Sequence, residues 1–223
     1  MASNVAYLSA ADLPETLPLF PLPGALLLPR GQMPLNIFEP RYLAMIDAAL
    51  RSDRLIGMIQ PDPSPTNQIG LSPLYSVGCA GRITQLAETG DGRYLIQLTG
   101  ICRFGLVEEI TADSLFRQAR VDFARFEPDL EPRRGEERVN RSALLEALRR
   151  FTEANRLSID WDNINDAPNE ALVNALSMMS PFGAAEKQAL LEAVDLETRG
   201  GILVALTEIE LAREAGDGGV RMQ

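Results

Sequence analysis

Between Leu17 and Leu35 short apolar runs alternate with Pro18, Pro21, Pro23, Pro29 and Pro34. Proline has no amide proton and fixes φ, so this stretch excludes helix interior. It predicts short strands or edge segments, with turns at Pro23-Gly24 and Arg30-Gly31. At Pro40 the period changes. Tyr42, Met45, Ile46, Ala49 and Leu50 fall on one apolar helical face, with proline in the first turn and Glu39 at the positive end of the dipole. Leu55–Gln60 is a short apolar run between breakers and predicts a buried strand, followed by a Pro/Asn/Asp-rich loop over Pro61–Pro73. Val77–Leu86 and Tyr94–Gly100 predict a hairpin closed by Thr89-Gly90-Asp91-Gly92. Alternation puts Tyr94, Ile96 and Leu98 on one face and Leu95 and Gln97 on the other. Cys102–Ile110 and Phe116–Phe126 continue as strands. In the second, Ala119, Val121 and Phe123 alternate with Arg120 and Asp122, so one face is wet. Periodicity alone gives an antiparallel sheet plus one helix.

Glu127–Glu137 is charged and broken by Pro and Gly, which marks a boundary, and beyond it the pattern turns helical. One helix carries Leu144, Leu145, Leu148 and Phe151, and a polar turn containing Trp161 follows. Leu172, Val173, Leu176 and Met179 mark the next helix, which ends at Ser180-Pro181-Phe182-Gly183. Ala184–Val194 is a third, with Leu190, Leu191 and Val194 inward. Asp195 caps a last helix bearing Ile202, Leu203, Leu206 and Ile209, and weakened by Gly200-Gly201. Four such helices pack into a bundle. The expected organisation is a flexible N-terminus (1–16), a β domain (17–126), a linker (127–137), an α-helical domain (138–215) and a flexible tail (216–223).

The segment LPLFPLPGALLLPRGQMPLNIFEPRYLAMI, Leu17 to Ile46, resembles the opening of the Lon N-terminal, or substrate-binding, domain. That family begins with a Leu-Pro-Leu-Phe-Pro-Leu run and continues Pro-Leu-x-Ile-Phe-Glu-Pro-Arg-Tyr. Pro34, Leu35, Ile37, Phe38, Glu39, Pro40, Arg41 and Tyr42 match, while Asn36 stands where many members carry histidine. The order VGCAGRI…DGRYLIQLTGICRFGLVEEI is similar to the middle of the same domain. The resemblance implies an α+β protein: a PUA-like β-barrel with the first helix packed on it, then an α-helical bundle domain. It also implies a stand-alone bacterial module that engages unfolded or specific polypeptides, an adaptor in protein quality control with a Lon-type protease as a partner.

Composition narrows the chemistry. A net charge of −10 over 223 residues weighs against general nucleic-acid binding, although PUA-like barrels in other families bind RNA and that alternative stays open. Arg133, Arg134, Arg138, Arg141, Arg149 and Arg150 alternate with Glu131, Glu136, Glu137 and Glu146, the pattern of a salt-bridged surface. With no histidine in the chain, triads, Cys-His dyads and His-containing zinc sites are excluded. Lys187 is the only lysine, so neither a phosphate loop nor a buried Ser-Lys dyad is expected, and Lys187 itself is placed on an exposed helix side. Cys79 and Cys102 are expected as buried apolar residues. Asp160, Asp162 and Asp166 lack the glycine and third ligand of a calcium loop and predict a turn. Glu39 and Arg41 predict a helix start and an ion pair. The sequence thus points to a non-catalytic, cytoplasmic protein with no cofactor, no metal and no membrane span. Its binding residues are unassigned; Pro61–Pro73 and the edge around Leu26–Pro29 are candidate walls. Homodimerisation through the helical domain is left open.

Overall fold

The computed structural model describes residues 6–64 and 72–220, with side chains as far as Arg213. The chain forms two compact units: Met1–Pro132 with Phe182–Leu191, and Arg133–Pro181 with Glu192–Gln223. This grouping differs from the expected helical domain, 138–215, at one helix, which clusters with the first unit.

The first unit is built on a mixed sheet. Its elements are β1 (Thr16–Pro21), β2 (Gln32–Ile37), α1 (Pro40–Leu50), β3 (Leu55–Ile59), β4 (Val77–Glu88), β5 (Tyr94–Ile110) and β6 (Gln118–Asp122). The strand order is β2-β5-β4-β3-β1-β6, and β6 also pairs with β5. The ladder from β5 round to β6 therefore closes on itself, leaving β2 outside that ring. Contrary to the antiparallel expectation, β1 and β3 run parallel, in register Leu19↔Gly57 to Pro21↔Ile59. A parallel pair needs a long crossover, and β2 with α1 supplies it.

Two strand boundaries also differ from the sequence reading. The segments expected as Tyr94–Gly100 and Cys102–Ile110 are one 17-residue strand, β5. It stays continuous because it changes neighbours midway, from β2 to β6, while β4 runs along it up to Gly105. The strand expected over Phe116–Phe126 is only Gln118–Asp122. Asp122 Oδ1 accepts the Ala124 amide at 3.0 Å and turns the chain into a 3-10 helix, Ala124–Leu130.

The core holds Leu17, Leu19, Met45, Ile46, Ile56, Leu98 and Phe104, all within 1% of full burial. Burying such side chains contributes about 1.5–3 kcal/mol each. Two polar devices are set into this apolar mass. Arg103 meets Asp129 in a forked ion pair, 2.8 Å from Nε to Oδ2 and 2.8 Å from Nη2 to Oδ1, with both side chains nearly buried. The Arg103 guanidinium lies 4.7 Å over the Phe126 ring, and its Nη1 donates to the Leu191 carbonyl at 3.0 Å. Gln60, 1% exposed, accepts from the Gly24 amide and donates to the Ala184 carbonyl and Gln188 Oε1. Gln188 passes the chain on to the Val77 carbonyl. These bonds seat the late helix α5 (Ala184–Glu192, counting α2 to α4 below) in the first unit. Buried polar groups persist only when satisfied, and both glutamine amides are.

The second unit contains α2 (Arg141–Ala154), α3 (Trp161–Asp166), α4 (Asn169–Met179) and α6 (Leu196–Val220). Trp161, expected in a turn, opens α3: Asp160 accepts the Asp162 and Asn163 amides at 3.1 and 3.2 Å and starts the helix. The helix is too short for periodicity to announce it. α6 packs on α2 and α4. Val194 is 71% exposed, against the inward position expected for it, and Met179, one of the residues that mark α4, is 80% exposed. In α4 the buried side turns instead onto Leu172, Val173 and Ser177, and Val194 lies past the end of α5. The tail expected at 216–223 overlaps the last turns of α6 as far as Val220, and residues 221–223 lie outside the described ones.

Candidate functional site

At one end of the first unit's sheet three strands extend beyond the ring. The β3–β4 pairing ends at Leu55↔Arg82, and the Ile83 amide donates to the Arg54 carbonyl at 2.8 Å. From there to the hairpin, β4 is held among the described residues by β5 alone, with a bulge between Ile83 and Gln85, and β2 lies on the other side of β5.

One face of this extension turns inward, through Ile37, Ile83, Ile96 and Leu98, each buried. α1 is tied to it where Tyr94 Oη donates to Asp47 Oδ1 at 3.1 Å, a bond that holds the tyrosine above its ordinary pKa. The opposite face is wet. Gln97 Nε2 reaches Gln32 Oε1 at 3.2 Å, and the Thr84 and Thr99 hydroxyls meet at 3.1 Å. Among these polar side chains stand Phe38, 60% exposed, and Leu95, 49% exposed, with Pro34 and Ala87 also exposed. Leu95 lies between Asn36 and Ala87 in register, and Phe38 follows directly on the end of β2. The result is a small apolar strip on a polar sheet face, the kind of surface an apolar side chain of a partner covers. Leu95 was legible as an apolar residue on the face opposite Ile96. Phe38 was legible only as part of the motif, since nothing local separates an exposed phenylalanine from a buried one.

The other sequence candidates occupy structural positions. Leu26, Leu27, Leu28 and Pro29 are buried, so this segment is core and not a wall. Most of Pro61–Pro73, residues 65–71, lies outside the described residues. Glu39 and Arg41 pair at 2.8 Å, and the guanidinium stacks 4.4 Å over the Tyr42 ring, fixing the start of α1. Lys187 is half-buried, contrary to its expected exposure, and burial lowers its pKa. Cys79 and Cys102 are buried free thiols, and burial pushes Cys102 far up in pKa, so it holds its proton. Asp160 serves α3 as its cap, and no cluster of metal-binding side chains occurs among the described residues.

The arginine-rich stretch is engaged by α6 as well as by its own acids. Arg133 pairs with Glu136, Arg138 with Asp195 and Glu197, and Arg150 with Glu208. Arg141 donates to the carbonyls of Ile164, Asn165 and Ala167, where α3 ends. No helix of the described residues is long and apolar enough to cross a membrane.

The chain is 28% identical over 204 residues to Lon protease 2 of Myxococcus xanthus, a match covering 87% of this chain. It is 29% identical over 213 residues to the Lon protease of Heliobacterium modesticaldum, covering 90% of this chain. In both cases it spans 24% of the relative's length. Two crystal or solved domains share the fold. The Lon N-terminal domain protein from Xanthomonas campestris aligns with a TM-score of 0.60 at 22% identity, over 85% of this chain and 97% of that one. The N-terminal domain of the Mycobacterium avium complex Lon protease gives 0.63 at 19%, over 86% and 98%. The family model of the ATP-dependent protease La (LON) substrate-binding domain matches residues 16–208. The chain belongs to the LON substrate-binding domain family.

Proposed function

We propose that this protein is a non-catalytic polypeptide-recognition module, acting in the cytoplasm as an adaptor in protein quality control with a Lon-type protease as a partner. The observation that carries the reading is the match to the substrate-binding domain family over residues 16–208. Composition supports it in part: without histidine no Ser-His-Asp triad or Cys-His dyad can form, and the single lysine, Lys187, lies in no phosphate loop. On this reading the closed ladder of the first unit is a PUA-like β-barrel and the helices of the second form a bundle. The strip of Phe38, Leu95, Pro34 and Ala87 is the contact surface, with the aromatic side chain as its anchor.

The test is fluorescence anisotropy with reduced, alkylated lysozyme, a basic chain that cannot fold. A recognition module binds it with a Kd near ~10 μM, about −7 kcal/mol. The double variant Phe38→Ser, Leu95→Ser weakens binding about tenfold with an unchanged melting temperature, because both side chains are solvent-exposed. Unchanged affinity in the variant moves the contact surface elsewhere. No binding by the parent protein sinks the reading.

A further inference from the structure

Among the described residues the three-stranded extension has two open edges, and the hydrogen-bond register shows that they are not equivalent. The Thr89 amide donates to the Arg93 carbonyl, so Thr89 and Arg93 form a hydrogen-bonded pair of the β4–β5 hairpin. In an antiparallel ladder such pairs alternate with pairs whose amides and carbonyls point away. Following the register Glu88↔Tyr94, Ala87↔Leu95, Leu86↔Ile96 and Gln85↔Gln97, the main chains of Ala87 and Gln85 bond to β5. Those of Leu86 and Glu88 point outward. On the other side the Gly100 amide donates to the Gly31 carbonyl, which assigns Met33, Leu35 and Ile37 to bonding with β5 and turns Gln32, Pro34 and Asn36 outward. β5 thus uses alternate residues towards its two neighbours.

The β2 edge is thus interrupted at its centre by an outward proline, which has no amide to donate. The β4 edge carries no such block. Thr84 to Glu88 are exposed, contain no proline, and no strand covers them among the described residues. We infer that the outward main chain of Leu86 and Glu88 is a β-addition site for an extended segment of an unfolded polypeptide. This deepens the recognition reading above and rests on it. Two amides and two carbonyls read only the partner's backbone, so selection is for extended, unpaired chain and not for a sequence. A second copy of this protein is a poor occupant. An edge of three residues offers far less area than a stable dimer interface needs, whereas a transient complex tolerates it.

The experiment uses the full chain and reduced, alkylated lysozyme. Leu86→Pro deletes one outward amide without touching a β5 bond, reproducing on β4 what Pro34 does on β2. Leu86→Ala removes the side chain and keeps the amide. The expected result is about a tenfold loss of affinity for Leu86→Pro and less than about a threefold change for Leu86→Ala. Hydrogen exchange of the unaltered protein gives a second readout: the amides of Leu86 and Glu88 become protected when the unfolded chain binds. Equal binding by Leu86→Pro, or no added protection at these amides, overturns β-addition while leaving polypeptide recognition standing. A dimer of the parent protein that Leu86→Pro abolishes also overturns it, in favour of self-pairing. Absence of binding by the parent protein removes both readings.

Discussion

At Gly100 an added Cβ would stand 2.0 Å from the Leu28 carbonyl oxygen, a main-chain atom with no freedom to retreat. The same residue exchanges bonds with Arg30 and Gly31, so the approach of the two backbones holds the start of β2 against β5. Gly100→Ala therefore destabilises the first unit by about 3 kcal/mol, read as a fall in denaturation midpoint. Gly201 is the contrary case: an added Cβ meets nothing within 4 Å, and the residue sits inside α6. Gly201→Ala stabilises by about 1 kcal/mol, measured the same way, because alanine gives up less backbone freedom in a helix. Asp195 adds a pH-dependent residue. Its Oδ1 accepts the Thr198 amide at 2.8 Å, and bonds from the Thr198 side chain and amide hold its carboxyl below the usual range. A depressed folded-state pKa means stability that is present above the unfolded pKa of about 3.9 and lost as pH falls through the folded value. Asp195→Ala costs about 1 kcal/mol at pH 7. In urea melts at descending pH, the gap between variant and parent closes below about pH 4.

At the scale of elements, local chemistry was legible where neighbours in sequence decide the outcome. Pro40 opened α1, the Thr89–Gly92 turn closed β4 onto β5, and the face with Ile96 and Leu98 turned inward while Leu95 stayed wet. What escaped was decided by residues far away in the chain. The parallel β1–β3 pairing leaves no mark in either strand, since a buried strand looks the same beside either kind of neighbour. Continuity of β5 through Gly100 follows from its change of neighbour, from β2 to β6, and the glycine there makes room for the Leu28 carbonyl about seventy residues earlier. The placement of α5 depends on Gln60 and Gln188, two glutamines that in sequence are indistinguishable from surface residues. The candidate site was partly legible for the same reason. Leu95 broke the alternation visibly, but the open edge of β4 depends on β3 stopping at Leu55, which only the register reveals.

On the scale of the whole molecule, neither unit is a continuous stretch of chain. The first includes residues 182–191, which supply the partners of Gln60 and the carbonyl that Arg103 Nη1 reaches. A fragment ending at Pro132 keeps every strand but leaves these buried polar groups without their acceptors. Each lost bond costs about 0.5–1.5 kcal/mol net, and together they are a large share of a domain's usual stability. The 1–132 fragment is therefore expected to melt without the cooperative transition of the full chain in circular dichroism. A fragment as stable as the parent would make α5 dispensable.

That borrowed helix also sets a schedule for the newborn protein. The six described strands have left the ribosome by the time Pro132 emerges, yet the helix that satisfies Gln60 is still about sixty residues from emerging. At ordinary synthesis speeds of about 5–20 residues per second the wait lasts roughly 3–12 seconds. Throughout it the sheet is complete in sequence but missing a piece of its interior, which makes this protein, in its first seconds, the sort of unfinished chain that folding helpers attend.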